Sequence, residues 1–290
     1  MFALRYSLQT RSAIAIATAC LTATMALVTN DMALAQNRRS KYGLGSLPES
    51  GKTSGGTRPV HGELPKIIFL APDDGALTLS AQPTFYWFIA SIPRDTAITN
   101  TSFSSNSAIE AITFDQEFML RKDPHKTPIK GVGAAKTIFN ASATSTKTGL
   151  YRYTLPITAP ELEFGKDRGW RIQVPPDLVQ LPDVVVRMEN KPAAIAELSK
   201  AKTDLEKARI YERYGYWYDA FDAYTKWLEV NPHDKVARRE RANMIEVGLK
   251  DNRDFRGDGQ PNLKLLSELQ AKIDASVATD LAPHTVENRP

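Results

Sequence analysis

Cysteine is all but missing from this chain. Cys20 is the only one among 290 residues, and it lies in an apolar run near the N-terminus, so the chain from Gln36 onward carries no thiol. Disulfide frameworks, catalytic thiolates and cysteine-ligated zinc are thereby excluded from that part. Histidine is scarce too. His61, His125, His233 and His284 fall in separate predicted loops, linker or tail, and no two share the i, i+4 or alternate-strand spacing that brings ligands onto one metal. No metal and no other cofactor is expected. Neither sign of charge dominates, with 37 Lys and Arg against 33 Asp and Glu. Setting aside Arg5, Arg11 and Asp31 with the first 35 residues leaves 35 against 32, which is no polybasic surface. The densest basic run, Arg238-Arg239-Glu240-Arg241, is interrupted by an acid and reads as a solvated helix face. Nucleic acid is not an expected partner.

Long apolar runs are absent after the first 35 residues. Before that point, Arg5 and Arg11 precede an apolar stretch from Ala13 to Val28, followed by Ala33-Leu34-Ala35. A basic start, a short apolar segment and a small-x-small tripeptide read as a cleavable secretory signal peptide over 1–35. The alternatives are an uncleaved anchor, for which the stretch falls short of the roughly 20 residues a span needs, or lipidation at Cys20, where Ala17 stands in place of the usual Leu. The expected mature chain is exported to the periplasm or beyond and has no transmembrane segment. Residues 36–62 form a Gly-, Ser-, Pro- and Thr-rich linker. Gly45 to Thr53 imitates a phosphate-binding loop, but five residues separate its glycines instead of four, and no strand or helix flanks it.

From 63 to 190 the hydrophobic period is that of strands. Runs at 66–71, 84–90, 114–122, 136–141, 150–155, 168–174 and 183–189 are separated by turn chemistry such as Pro72-Asp73-Asp74-Gly75. About seven short strands without intervening helices predict an antiparallel β-sandwich. Around 192 the period switches to that of helices. Leu198, Ala201, Leu205, Ala208 and Tyr211 form one stripe, Tyr218 to Val230 a second helix, and Lys235 to Leu249 a third with Val236, Met244, Val247 and Leu249. Residues 251–290 read as a polar, partly disordered tail with a marginal helix near 262–277. The predicted fold class is therefore α+β by segregation: a sandwich over 63–190, then a helical region over 192–250.

The spacing of Ala208, Tyr211, Gly215, Ala220, Tyr224 and Pro232 resembles a tetratricopeptide repeat. One such hairpin cannot bury its apolar face alone, so it must pack on something else. Pro83-Thr84-Phe85 with Trp87, paired with Gly165 and Trp170-Arg171-Ile172, looks like the core of fibronectin- and immunoglobulin-like sandwiches. A broader set runs in order along the chain: Gly56-Thr57-Arg58, Leu70-Ala71-Pro72, Thr78 to Phe85, Glu117-Phe118, Leu155-Pro156, Leu162 to Trp170, and Tyr216 to Ala220. Over about Gly55 to Lys250 it resembles a family of exported cyanobacterial proteins known as a domain of unknown function. The chain departs from that pattern at Arg168-Gly169, where an aromatic usually precedes the Trp, and at Pro59-Val60, where a cysteine is usual. The resemblance implies no activity.

Catalytic signatures are thin, and no catalytic residue is assigned. There is no Gly-x-Ser-x-Gly, Ser104-Ser105 lie in a polar loop, Asp73-Asp74 read as a turn, and Glu161 and Glu163 face solvent before a strand. Asp251 to Gln260 fails the calcium-loop spacing because an Arg falls where an oxygen ligand belongs. The aromatics are more informative. Side chains alternate along a strand, so Phe85 and Trp87 point one way while Tyr86 and Phe88 point the other. Tyr86, Phe88, Tyr216, Trp217 and Tyr218 are either packing between sandwich and hairpin or a surface for a peptide or sugar. The expected function is a non-enzymatic binding or assembly role with an unknown protein or envelope polymer. The alternative is a carbohydrate-binding module or polysaccharide-processing enzyme.

Overall fold

The computed structural model describes residues 41–44, 66–91, 114–124, 136–145, 147–173, 183–257 and 260–283. The expected signal peptide, most of the linker with its imitation phosphate loop, the Ser104-Ser105 loop, and His61, His125 and His284 lie outside them.

Strands form where expected, from alternating or continuous apolar runs, with bounds of β1 Lys66–Phe69, β3 Thr84–Ser91, β4 Phe114–Lys122, β5 Lys136–Ser145, β6 Gly149–Thr154, β7 Asp167–Gln173 and β8 Val184–Met188. The Pro72–Gly75 turn closes with a Gly75 N–H to Pro72 carbonyl bond of 3.0 Å and leads into an additional strand, β2 Ala76–Thr78. Very short strands β9 Arg256–Gly257, β10 Gln260–Pro261 and β11 Thr279–Asp280 follow late in the chain. One sheet has the order β1-β3-β6-β11 and the other β2-β8-β7-β4-β5, while β9 and β10 pair separately. Pairings are antiparallel except β11 with β6 and β2 with β8.

The described residues are thus mixed α and β, with largely antiparallel sheets and no barrel among them. The sheets meet through aromatic side chains. Phe85 of β3 lies 5.1 Å from Phe118 of β4 and 4.9 Å from Trp170 of β7, and Phe118 lies 4.9 Å from Tyr153 of β6. Trp87, on the same face of β3, donates its indole N–H to Gln116 of β4 at 3.0 Å, and Gln116 in turn donates to Ser145 of β5. That buried polar link is fully paired, so its burial carries no desolvation penalty for an orphaned group.

Five helices follow among the described residues: α1 Pro192–Leu198, α2 Asp204–Tyr214, α3 Trp217–Val230, α4 Lys235–Leu249 and α5 Leu263–Asp274. The single stripe expected from Leu198 to Tyr211 is broken between α1 and α2. Thr203 caps α2 in a reciprocal capping box with Glu206, which satisfies backbone donors at the helix start and makes a restart there favourable. Gly215 ends α2 at φ 78°, a left-handed geometry glycine adopts without strain, and α3 turns back at once. Ala208 and Ala220 have no exposed surface where α2 and α3 pack. On α4, Met244 and Leu249 are buried, whereas Val236 and Val247 are exposed, contrary to the expected stripe. The buried positions of α4 include Ala237, Arg241, Met244, Ile245, Gly248 and Leu249. Gly248 is essential to that face, since a Cβ there would sit 2.1 Å from Trp217 Cζ3.

Helices and sheets share one hydrophobic core. Even α5, read from sequence as a marginal helix in a polar tail, buries Leu266, Leu269 and Ile273. Beyond it, the Leu281 amide bonds the Arg152 carbonyl at 2.8 Å. The three buried α5 residues recur at helical spacing and so form one docking face, while Leu263 and Leu265 stay exposed.

Candidate functional site

Tyr216, Trp217 and Tyr218 stand at the start of α3, where successive side chains are turned by about 100° from one another. They accordingly reach three different places. Trp217 donates its indole N–H to the Leu70 carbonyl at 2.8 Å and meets Tyr42 edge-on at 5.1 Å. Tyr218 enters the space between the sheets, accepting from the Trp170 indole at 2.9 Å and donating to the Val185 carbonyl at 3.3 Å. Its ring lies 5.5 Å from Phe85. Tyr216 sits beneath the Lys191 ammonium, 5.3 Å from its ring centre, and bridges to Leu77 of β2. On the other side of β3 from Phe85, Tyr86 packs 4.8 Å from Phe221, one turn beyond Trp217, and donates to Asp222 at 2.8 Å. Phe88 is buried as well. All five aromatics are below the surface, so none of them offers an exposed aromatic face.

Where α2 and α3 pass the ends of β3 and β6, a cleft of about 300 Å³ opens, lined by side chains that include Thr84, Thr154, Asp204, Tyr211, Asp219 and Asp222. Asp219 and Asp222 are three apart on α3 and therefore share a helix face. Asp219 Oδ2 accepts from the Leu79 amide at 2.8 Å and from Thr78 Oγ1 at 2.9 Å, tying the first turn of α3 to the end of β2. Burial pushes its carboxyl up to about 6, outweighing the two donors that favour the charged form. Some of the Asp219 surface still reaches solvent. Asp222 is held from both sides, by Tyr86 and by Lys226 at 2.7 Å. Asp204 pairs with Lys207 at 3.1 Å. Tyr211, half-buried among these acids, is pushed up to about 12, first by burial and then by Asp219, Asp222 and Asp204. Across the cleft, the Thr84 and Thr154 hydroxyls bond each other at 2.9 Å.

Asp219 and Asp222 are therefore engaged by donors that fasten α3 to its surroundings, whereas Asp204 is paired only within its own helix and stays partly exposed. Among the described residues there is no group of three or more side chains able to hold a metal. His233 lies exposed on the turn before α4. The remaining carboxylate pairs from the sequence are apart from the cleft. Asp73 and Asp74 form the turn before β2, and Glu163 bonds Lys166 and Arg168. No described helix is long and apolar enough to cross a membrane.

The segment bearing the cleft and the aromatics also carries the family signal. A family model described as Domain of Unknown Function (DUF928) matches residues 53–254, more than half of the chain. The chain belongs to the DUF928 family. No curated protein matches it. The DUF928 match takes in β1 to β8 and helices α1 to α4 and ends just before β9, so α5 and β11 lie beyond it. Sequence reasoning missed the acid-lined cleft. Its available signal was Asp219 and Asp222 at helical spacing within an otherwise apolar helix face, flanked by buried Tyr218, Ala220 and Phe221.

Proposed function

We propose that this DUF928 protein is a non-enzymatic binding or assembly component of the cell envelope or extracellular space, which holds a partner without transforming it. The observation that carries the reading is the engagement of the two α3 carboxylates of the cleft: Asp219 with Thr78 and Leu79, and Asp222 with Tyr86 and Lys226. Acids committed to holding helices on a sheet are fasteners, whereas general acid–base catalysis needs a carboxyl poised toward a reacting atom. The burial of all five aromatics supports the same reading, because a sugar-stacking site needs ring faces in solvent.

Within this proposal the two sheets are an immunoglobulin- or fibronectin-like sandwich and α2–α3 a single TPR-like hairpin, whose apolar face is covered by the sheets in place of neighbouring repeats. Export follows from the expected signal peptide over 1–35 and from the resemblance to exported cyanobacterial proteins, with Gln36 as the first mature residue. N-terminal mass spectrometry of the protein recovered outside the cytoplasm tests the export step. A chain starting at Gln36 is expected, and a retained peptide containing Cys20 would contradict it.

A further inference from the structure

A second concavity, of about 370 Å³, lies where the start of α4 meets the end of α5. Its lining includes Lys235, Arg238, Arg239 and Ala242 from α4, His233 from the preceding turn, and Asp274 from α5. The four α4 residues recur at spacings of three and four, so they occupy one face of the helix. The small Ala242 side chain keeps that face open toward α5, and its carbonyl takes a hydrogen bond from Gln270 at 2.8 Å that fixes the two helices together.

Charge in this cleft does not balance. Its one carboxylate, Asp274, is bonded at 2.7 Å by Arg241, a buried residue, and comes only within 3.9 Å of Arg238. The acids nearby are engaged elsewhere. Asp234 caps α4 by accepting from the Val236 and Ala237 amides and also takes the Trp227 indole N–H, while Glu240 pairs with Arg209 at 2.9 Å. Lys235 and Arg239 are exposed, and among the described residues neither is paired with a carboxylate. The first turn of α4 contains no acid. It begins instead with Lys235, at the positive end of the helix dipole, where acids are the stabilising choice. Asp234, the N-cap, supplies the negative charge at that end, so Lys235 is tolerated there and its ammonium stays unpaired among the described residues.

We propose that this cleft binds an acidic oligosaccharide, with carboxylate or sulfate groups engaged by Lys235 and Arg239. The helix rises about 1.5 Å per residue, so these two residues stand about one turn, or 6 Å, apart on the same face, where one polymer can meet both. The cleft is larger than a single oxyanion requires, and its guanidinium, ammonium and imidazole groups are all hydrogen-bond donors. Pro232 and Ala242 are the apolar residues among its described lining. The basic run from Arg238, read from sequence as merely solvated, thus becomes one wall of a site. The inference rests on the binding reading above, and it is tested without reference to localisation.

Isothermal titration of the purified protein with trigalacturonate at low ionic strength is the test, with fully methyl-esterified trigalacturonate, triglutamate and inorganic phosphate as comparisons. Saturable binding of trigalacturonate alone is expected. Lys235→Glu and Arg239→Glu should each weaken it about tenfold or more, as loss of a charge-assisted contact does, and Lys235→Glu should melt no lower than wild type. If a reversal lowers the melting temperature, the double variant Lys235→Gln/Arg239→Gln must still weaken binding about tenfold or more. Undiminished affinity in these variants would overturn the proposal, as would equal binding of the ester, the peptide or phosphate. Failure of trigalacturonate while the protein still binds envelope material would remove this cleft and leave the binding reading standing.

Discussion

Replacing Asp219 by Asn isolates the energetic consequence of burying that carboxylate. In the unfolded chain its carboxyl has the ordinary value of 3.8, whereas in the folded protein burial raises it to about 6. The native state therefore holds this proton more tightly than the unfolded state does. The stabilisation it contributes is complete below about pH 3.8 and is lost as pH rises through about 6. At about 1.36 kcal/mol for each tenfold change in proton affinity, the difference amounts to roughly 3 kcal/mol. Asn keeps a carbonyl oxygen able to accept from the Leu79 amide and the Thr78 hydroxyl, but it carries no charge at any pH. Urea unfolding followed by fluorescence of the buried Trp170 and Trp217 gives the stability of each protein. Near pH 4 the two should be about equally stable, and near pH 7 Asp219→Asn should be more stable by roughly 3 kcal/mol. Glu163, Glu206, Asp234 and Asp280 have lowered values and act in the opposite sense as pH falls, but they are common to both proteins and cancel in the comparison. A stability difference that does not change between these pH values would refute the reasoning.

Three substitutions test the packing. Gly248→Ala places a Cβ 2.1 Å from the Trp217 ring and should cost about 1–3 kcal/mol in thermal or urea unfolding. Ala220→Leu overfills the approach of α2 and α3 and should cost a similar amount, about 1–3 kcal/mol, with a matching fall in melting temperature. Phe88→Ala empties a buried site and should cost about 3–5 kcal/mol. Because sheets and helices share one core, limited proteolysis of that variant should cut both together, and selective loss of the helices would show separable cores.

Strands and long helices were legible in the sequence because their signals are local. Alternation in Leu150 to Leu155 and the three- and four-residue spacing through α3 each determine a buried face without reference to distant residues. Both-sided aromaticity in β3 likewise announced that its second face needed a cover, and Phe221 and Asp222 supply it against Tyr86. What escaped was non-local. Strand β2 spans only Ala76–Thr78 and owes its place to a parallel partner more than a hundred residues away. Helix α5 follows a polar stretch, and its three buried residues gain a role only once the core is there to receive them. Both clefts are assembled from separate elements, so Asp219 gives no hint in sequence that Thr78 and Leu79 will bond it. Nor does the run from Arg238 reveal which of its charges Asp274 will leave unmatched.

Co-sedimentation of the purified protein with isolated envelope material, with soluble sugar release followed over the same period, tests the binding role most directly. Saturable sedimentation with no growth of soluble product is the expected result, and it should be retained by Asp219→Asn and Asp222→Asn. Time-dependent release of soluble fragments that either substitution abolishes would contradict it, and would make the cleft carboxylates catalytic.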